Sequence, residues 1–279
     1  MEKKERKIVF GAGLVLLLIF TFTDMQISLA IAKKPFFARV LEVVGEIPFT
    51  VLNMAGCSMI VRFRNRKSMA KKWLALLGGG ALFILFSVMG GFMTWNYLGD
   101  NLGEVPKILI PVIGILMAGM AVWIALKVPA VNGSKALRYA ATALIYFLLV
   151  IIVMNSLKTV WGRMRFREMT DPVNEFTRWY QICGRGGFDN AYASFPSGHS
   201  MNSAGVILML LLPDIIPALK DKKKLFRICT YTWCIVVGAS RVFMGAHFAS
   251  DVTVGILLSF VLFELTSTII YKRKRRNSV

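Results

Sequence analysis

The feature that most restricts this chain is a succession of apolar runs, each about as long as a lipid bilayer is thick. Residues 11–20 read GAGLVLLLIF, and the stretch stays largely apolar to Ala32, with Asp24 and Gln26 as its interruptions. A helix needs about 20 such residues to cross a hydrocarbon layer roughly 30 Å deep. Neither a soluble amphipathic helix nor a buried strand requires so many. With 56% of its 279 residues hydrophobic, the chain has the composition of a polytopic membrane protein. The first run is too long for a secretory leader and no small-residue cleavage site follows it, so it is expected to remain as a span.

Runs of sufficient length occur at approximately 8–32, 46–62, 73–98, 107–127, 138–157, 197–217, 225–243 and 248–271. They predict an all-α fold, a polytopic transmembrane helical bundle of about eight spans, in one membrane domain over residues 1–279 with no internal repeat. Segment 33–45, KKPFFARVLEVVG, places Phe36, Phe37, Val40, Leu41 and Val44 at near-helical spacing among charges. That pattern predicts a short helix lying in the membrane interface.

A net charge of +19 would suggest a nucleic-acid partner in a soluble chain. Here the basic residues form short clusters between apolar runs: Lys3 to Lys7, RFRNRKSMAKK, Lys127 with Lys135 and Arg138, KDKKKLFR, and KRKRR. If the N-terminus starts inside, these clusters put roughly two-thirds of the lysines and arginines on the cytoplasmic side, with both termini. No nucleic-acid partner is expected. The longest non-spanning stretch, about 158–196, and the turn SRVFMGAH then share the extracytoplasmic face. Cys57, Cys229 and Cys234 lie in apolar segments and Cys183 in the loop, without zinc spacing or a disulfide framework.

Three polar constellations fall on that face. In KTVWGRMR, Lys158 and Arg165 are seven residues apart, so a continuing helix would turn both toward one anion. A cationic helix end snorkelling to the headgroups reads the same way. In FPSGHS, Pro196 suits a first helical position, and Ser197 and Gly198 would present unpaired N–H groups at the positive helix end, beside His199. An ordinary helix cap with an incidental histidine is the alternative. In SRVFMGAHFASD, His247 and Asp251 are four apart, the spacing at which a carboxylate on the same helix face holds an imidazole's tautomer. Arg241 adds a planar donor fork suited to phosphate oxygens. A structural His–Asp pair is the alternative there, although charge at a membrane edge is costly enough to argue for function. Both histidines of the chain fall inside these constellations.

In that order, Lys-x6-Arg, Pro-Ser-Gly-His and Ser-Arg-x5-His-x3-Asp, spread over residues 158–251, resemble the three-part signature of the type 2 phosphatidic acid phosphatase (PAP2) superfamily of membrane lipid phosphatases. One position departs: Phe166 follows Arg165 where the family has proline. The resemblance implies a six-helix phosphatase core preceded by N-terminal helices. It implies metal-independent hydrolysis of a phosphomonoester or diphosphate of a membrane lipid, of the polyprenyl diphosphate, phosphatidylglycerol phosphate or phosphatidic acid type. His247 would be the nucleophile, oriented by Asp251, and His199 the acid and then the base. Lys158, Arg165, Ser197, the Gly198 amide and Arg241 would hold phosphate oxygens.

No metal or other cofactor is expected, because Glu168, Asp171, Glu175 and Asp189 are spaced irregularly around the site. The loop aromatics Phe166, Phe176, Trp179, Tyr180, Phe188, Tyr192 and Phe195 would border a lipid entrance, with Arg167, Arg178 and Arg185 available to a second phosphate. An aromatic belt with solvated arginines is the plainer alternative. The partners are thus the bilayer and a lipid phosphate, in a membrane expected to be the bacterial cytoplasmic one. Two other functions compete: a lipid phosphotransferase sharing the first half-reaction, and an anion or lipid transporter. Charges gathered at one face rather than at mid-bilayer speak against the transporter.

Overall fold

A computed structural model describes residues 3–65, 67–184 and 189–276, with side chains described as far as Tyr271. Its described residues are all-α, as expected. The helices are α1 (Lys3–Ile31), α2 (Phe36–Val44), α3 (Ile47–Arg62), α4 (Met69–Leu102), α5 (Leu109–Leu126), α6 (Gly133–Trp161), the short α7 (Pro172–Glu175), α8 (Gly198–Ser203), α9 (Lys223–Phe243) and α10 (Ala249–Arg276).

Among the described residues, six helical stretches are long and apolar enough to cross a membrane: Lys3–Ile31, Phe36–Arg62, Met69–Leu102, Leu109–Leu126, Ala130–Trp161 and Ala249–Tyr271. The chain is an integral membrane protein. Two of the eight expected spans take another form. Residues 197–217 begin as the six-residue α8 and continue as a 3-10 helix, Ala204–Asp214, that contains Pro213. Residues 225–243 do lie in a helix, the 21-residue α9, but it carries Arg227, Thr230, Thr232, Ser240 and Arg241 and does not rank with the six. Both stretches carry candidate site residues, and polar groups lower the hydropathy by which a span is recognised.

The chain divides into two compact units. Residues 46–147, 205–231 and 265–279 form one of them. In it α4 and α5 meet backbone to backbone. A Cβ on Gly91 would lie 2.2 Å from the Ile110 carbonyl oxygen, and one on Gly114 would lie 2.7 Å from that of Ser87. Lipid tails are as apolar as leucine, so close approach through small residues is what joins such helices. Phe49, Phe86, Tyr146 and Phe147 pack edge-on or tilted beside them.

The other unit comprises residues 1–45, 148–204 and 232–264, and holds all three motifs. Its α1 buries one stripe, Gly13, Leu17, Asp24 and Ser28, at helical spacing. Gly13 lies flush against α10, since a Cβ there would sit 2.7 Å from the Leu257 methyl carbons. Phe20, Ile27 and Ile31 cover Val242, Ala249 and Val252. Leu14, Leu18 and Phe22 on the outer faces of α1 are each 65% exposed, as lipid-facing residues are. Segment 33–45 does form a helix, α2, which buries Ala38 and Glu42 and exposes Phe36, Phe37 and Val40.

Overpacking the α4–α5 contact should be costly, because backbone cannot move aside as a flexible side chain can. Gly114→Leu is expected to lose about 1–3 kcal/mol, read as a lower thermal midpoint in detergent. Gly119→Leu, on the same helix with open space around it, should match the parent.

Candidate active site

Helix α6 ends at Trp161 because Gly162 takes a left-handed conformation, φ +61°, which glycine adopts without strain. Lys158 and Arg165 therefore do not share a helix face, contrary to the two-turn alignment expected from their spacing. The chain turns instead, sending Arg163 inward, and the Arg165 N–H donates to the Ala191 carbonyl at 2.8 Å. Aromatic side chains pin this loop. Trp161 Nε1 donates to the Trp179 carbonyl at 2.6 Å, Trp179 Nε1 donates to Thr21 Oγ1 at 2.9 Å, and Phe195 stacks on Trp161 at 4.6 Å.

Several loop aromatics expected to border an entrance are thus used as packing. Phe166 and Phe176 set their rings edge-on to Phe248, which gives the residue in the usual proline position a structural task. Tyr180 is exposed. Phe188 and Arg185 lie outside the described residues. Arg167 engages Glu168, and Arg178 engages the Tyr180 hydroxyl.

At the second motif the helix starts at Gly198, capped by Ser197, and not at Pro196. The Ser197 Oγ accepts from the Ser200 N–H at 3.3 Å and meets Ser200 Oγ at 2.8 Å, while the Phe195–Pro196 peptide bond ahead of it is cis. The Ser197 N–H, expected to be unpaired, donates to the Asp251 carbonyl at 3.1 Å and so ties the second motif to the third. Gly198 follows, and a Cβ there would come within 3.0 Å of Lys158 Nζ, so the bare backbone lets that ammonium lie against the first turn. His199 is buried, its ring against Gly45, where a Cβ would sit 2.7 Å from Nε2.

The third motif bends at Gly245, φ +62°, whose carbonyl accepts from the Arg167 N–H at 2.9 Å. His247 sits in this turn, ahead of α10, so it and Asp251 do not share a helix and the expected hydrogen bond between them is not made. His247 Nδ1 lies 2.6 Å from the Ser194 carbonyl oxygen. Asp251 is occupied elsewhere: Oδ1 accepts from Arg163 Nη1 at 2.5 Å, and Oδ2 accepts from Ser194 Oγ at 2.6 Å and the Phe248 N–H at 3.0 Å. Asp251 thus reaches the imidazole through Ser194.

A carbonyl oxygen only accepts, so His247 Nδ1 carries the proton and Nε2 keeps its lone pair. Burial, and then the charges of Arg165, Lys158 and Arg241, hold the His247 pKa well below its usual 6.5. The ring is neutral at physiological pH, and all three motif cations converge on it. Arg241 Nη2 donates to Glu42 Oε1 at 2.8 Å. The buried Nε and Nη1 of Arg241 have no hydrogen-bond partner among the described residues.

Sequence reasoning missed Arg163 altogether. It is fully buried, its guanidinium 4.1 Å from the Phe248 ring centroid. It donates to the Thr177 carbonyl, Ser250 Oγ, Asp251 Oδ1 and Asp24 Oδ2. Asp24 also accepts from the Ser250 N–H, at 3.0 Å, and from the Ser250 hydroxyl. A lone carboxylate in an apolar helix needs a partner, so Asp24 was the available signal. Ser194 and Glu42 offered none beyond their residue types.

The sequence profile of the PAP2 superfamily matches residues 139–275. A curated relative, phosphatidylglycerophosphatase B of Bacillus subtilis (strain 168), is 42% identical over 84 residues, which are 29% of this chain and 41% of the relative. The match thus spans about two-fifths of that relative's length. No solved structure matches the chain.

Arg163→Met should lose about 3–5 kcal/mol, because it leaves two buried carboxylates without their common cation. Asp24→Leu should cost less in the Arg163→Met background than in the parent, a coupling of at least about 1 kcal/mol in a double-mutant unfolding cycle. Additive costs would show that Asp24 and Arg163 are not energetically paired.

Proposed function

Because residues 139–275 make this chain a member of the PAP2 superfamily, we propose that it is a lipid phosphate phosphatase that works through a phosphohistidine at His247. The observation that carries this reading is the His247 tautomer: Nδ1–H on the Ser194 carbonyl, Nε2 bare, in the field of Lys158, Arg165 and Arg241. Nε2 attacks phosphorus as the bond to the lipid oxygen breaks, and His199 gives that oxygen a proton. His199 then takes a proton from water, whose oxygen attacks phosphorus and releases inorganic phosphate from Nε2. The three cations, with the Gly198 amide, stabilise the added charge of the five-coordinate state. Ser197 serves as cap and tether, which leaves it a smaller part in phosphate binding than its motif suggests.

The buried carboxylates described in this unit pair with arginines: Asp24 and Asp251 hold Arg163, and Glu42 holds Arg241. This favours chemistry in which the cations, rather than a metal, neutralise the phosphate. The name of the Bacillus relative makes phosphatidylglycerophosphate the first substrate to assay, ahead of phosphatidic acid and polyprenyl diphosphates. We count the 198–214 stretch and α9 as spans too. Six α-helical and eleven 3-10 residues at about 1.5 and 2.0 Å each give a contour near the roughly 30 Å of a bilayer core. Both termini are then cytoplasmic and both histidines extracytoplasmic, in a bacterial cytoplasmic membrane.

Purified protein should release inorganic phosphate from phosphatidylglycerophosphate with no added acceptor, which separates hydrolysis from phosphotransfer. His247→Ala should fall to background and His199→Ala by about 10²–10⁴-fold in kcat. A parental rate in His247→Ala would rule out this nucleophile.

Sidedness has its own test. Cys183 lines a cavity of about 290 Å³ beside Gly162 and Tyr192. In intact cells an impermeant thiol reagent should label the parent but not Cys183→Ala, while a cysteine at position 223, Lys223→Cys, stays unlabelled until the cells are opened. Labelling of position 223 from outside would put the catalytic face in the cytoplasm.

A further inference from the structure

Glu42 lies far outside the stretch that matches the family, yet it is the carboxylate that holds Arg241. We propose that Glu42 is a positioning residue that sets how tightly the site holds phosphate. It fixes the Arg241 fork, and its negative charge keeps the product anion from binding too strongly to leave. This rests on the phosphatase reading above.

The support beneath Glu42 is rigid. A nine-residue helix is too short to be stable alone, and α2 is clamped along its length. The Lys34 N–H donates to the Phe243 carbonyl at 2.9 Å. Phe37 packs edge-on to Phe243 at 5.1 Å, and Ala38 is buried with Met244 and Ala246. At the other end Trp233 Nε1 donates to the Gly45 carbonyl at 3.2 Å, and Gly45 faces the His199 ring. The helix therefore grips the turn that carries His247 and abuts the second histidine.

The charges define what Glu42 does from that place. Both partners of the Glu42–Arg241 pair are about 95% buried, so neither charge is screened by water. Glu42 takes Arg241 Nη2, which leaves Nε and Nη1 for an anion, and the Arg241 charge is felt at His247. Three cations around one phosphate would bind product as well as the transition state. Uniform binding of that kind slows release without speeding the chemical step. A carboxylate behind one of them lowers the pull on the anion and keeps the fork aimed.

The two halves of this role separate in two variants of the full-length protein, with orthovanadate and inorganic phosphate as probes alongside lipid turnover. Glu42→Gln keeps an oxygen for Arg241 and removes the charge. It should bind both probes about tenfold more tightly, with KM and kcat both lowered. Glu42→Ala removes the anchor as well, and should bind vanadate more weakly and lose kcat/KM. Vanadate affinity in Glu42→Gln equal to or weaker than the parent's overturns the proposal, as does identical behaviour of the two variants. If Glu42→Ala fails to fold, the sign of the Gln effect alone decides. A parent that neither releases phosphate from the lipid panel nor binds vanadate sinks the phosphatase reading together with this proposal. An active parent with an unchanged Gln variant sinks only the role of Glu42.

Discussion

The site depends on a buried cation that touches no substrate in the proposed chemistry. Arg163 reaches the first transmembrane helix through Asp24, the start of the last helix through Asp251 and Ser250, and the loop through the Thr177 carbonyl. Moving a guanidinium and two carboxylates out of water is expensive, and the cost is recovered only when each remaining hydrogen-bonding position is filled. Here all but a few are filled, so the cluster fixes three separate pieces of chain in one geometry. Phe248 and Phe176 close over it and exclude water.

The properties of His247 follow from that scaffold. Ser194 gives its hydroxyl to Asp251 and its carbonyl to His247, so the carboxylate held by Arg163 orients the imidazole at one remove. A backbone carbonyl leaves the ring one tautomer, whereas a neighbouring carboxylate would also have favoured the charged form. Burial and three nearby cations push the same way, toward a neutral ring with a free Nε2. The arrangement suits a nucleophile that must attack an anion, since the cations that attract phosphate also keep the imidazole unprotonated.

How much of this was legible in the sequence depended on how local each signal is. The length of an apolar run is local, so the stretches at 8–32, 46–62, 73–98, 107–127, 138–157 and 248–271 fall on long apolar helical stretches. Stretches 197–217 and 225–243 read as apolar runs too, but the first splits into a short α-helix and a 3-10 helix and the second carries polar residues, neither of which run length reveals. Motif spacing brought Lys158, Arg165, Arg241 and His247 into one set, and the structure places those cations around that histidine. It could not show that Gly162 ends the helix or that His247 precedes the next one, and the direct His247–Asp251 bond was expected for that reason. Arg163, Asp24 and Glu42 pair with residues 88 to 199 positions away. No periodicity carries such pairings, and only the lone charge of Asp24 in an apolar helix hinted at one.

The central claim is that His247 Nε2 bonds to phosphorus, and the enzyme-bound intermediate tests it most directly. Protein reacted briefly with labelled phosphatidylglycerophosphate, quenched in base and digested should yield a phosphopeptide spanning residues 240–251. Its phosphorus should reside on Nε2 of His247 by ³¹P NMR and fragmentation, and it should accumulate further in His199→Ala as water attack slows. Label on His199, on Nδ1 of His247 or on no residue during steady turnover would contradict the account.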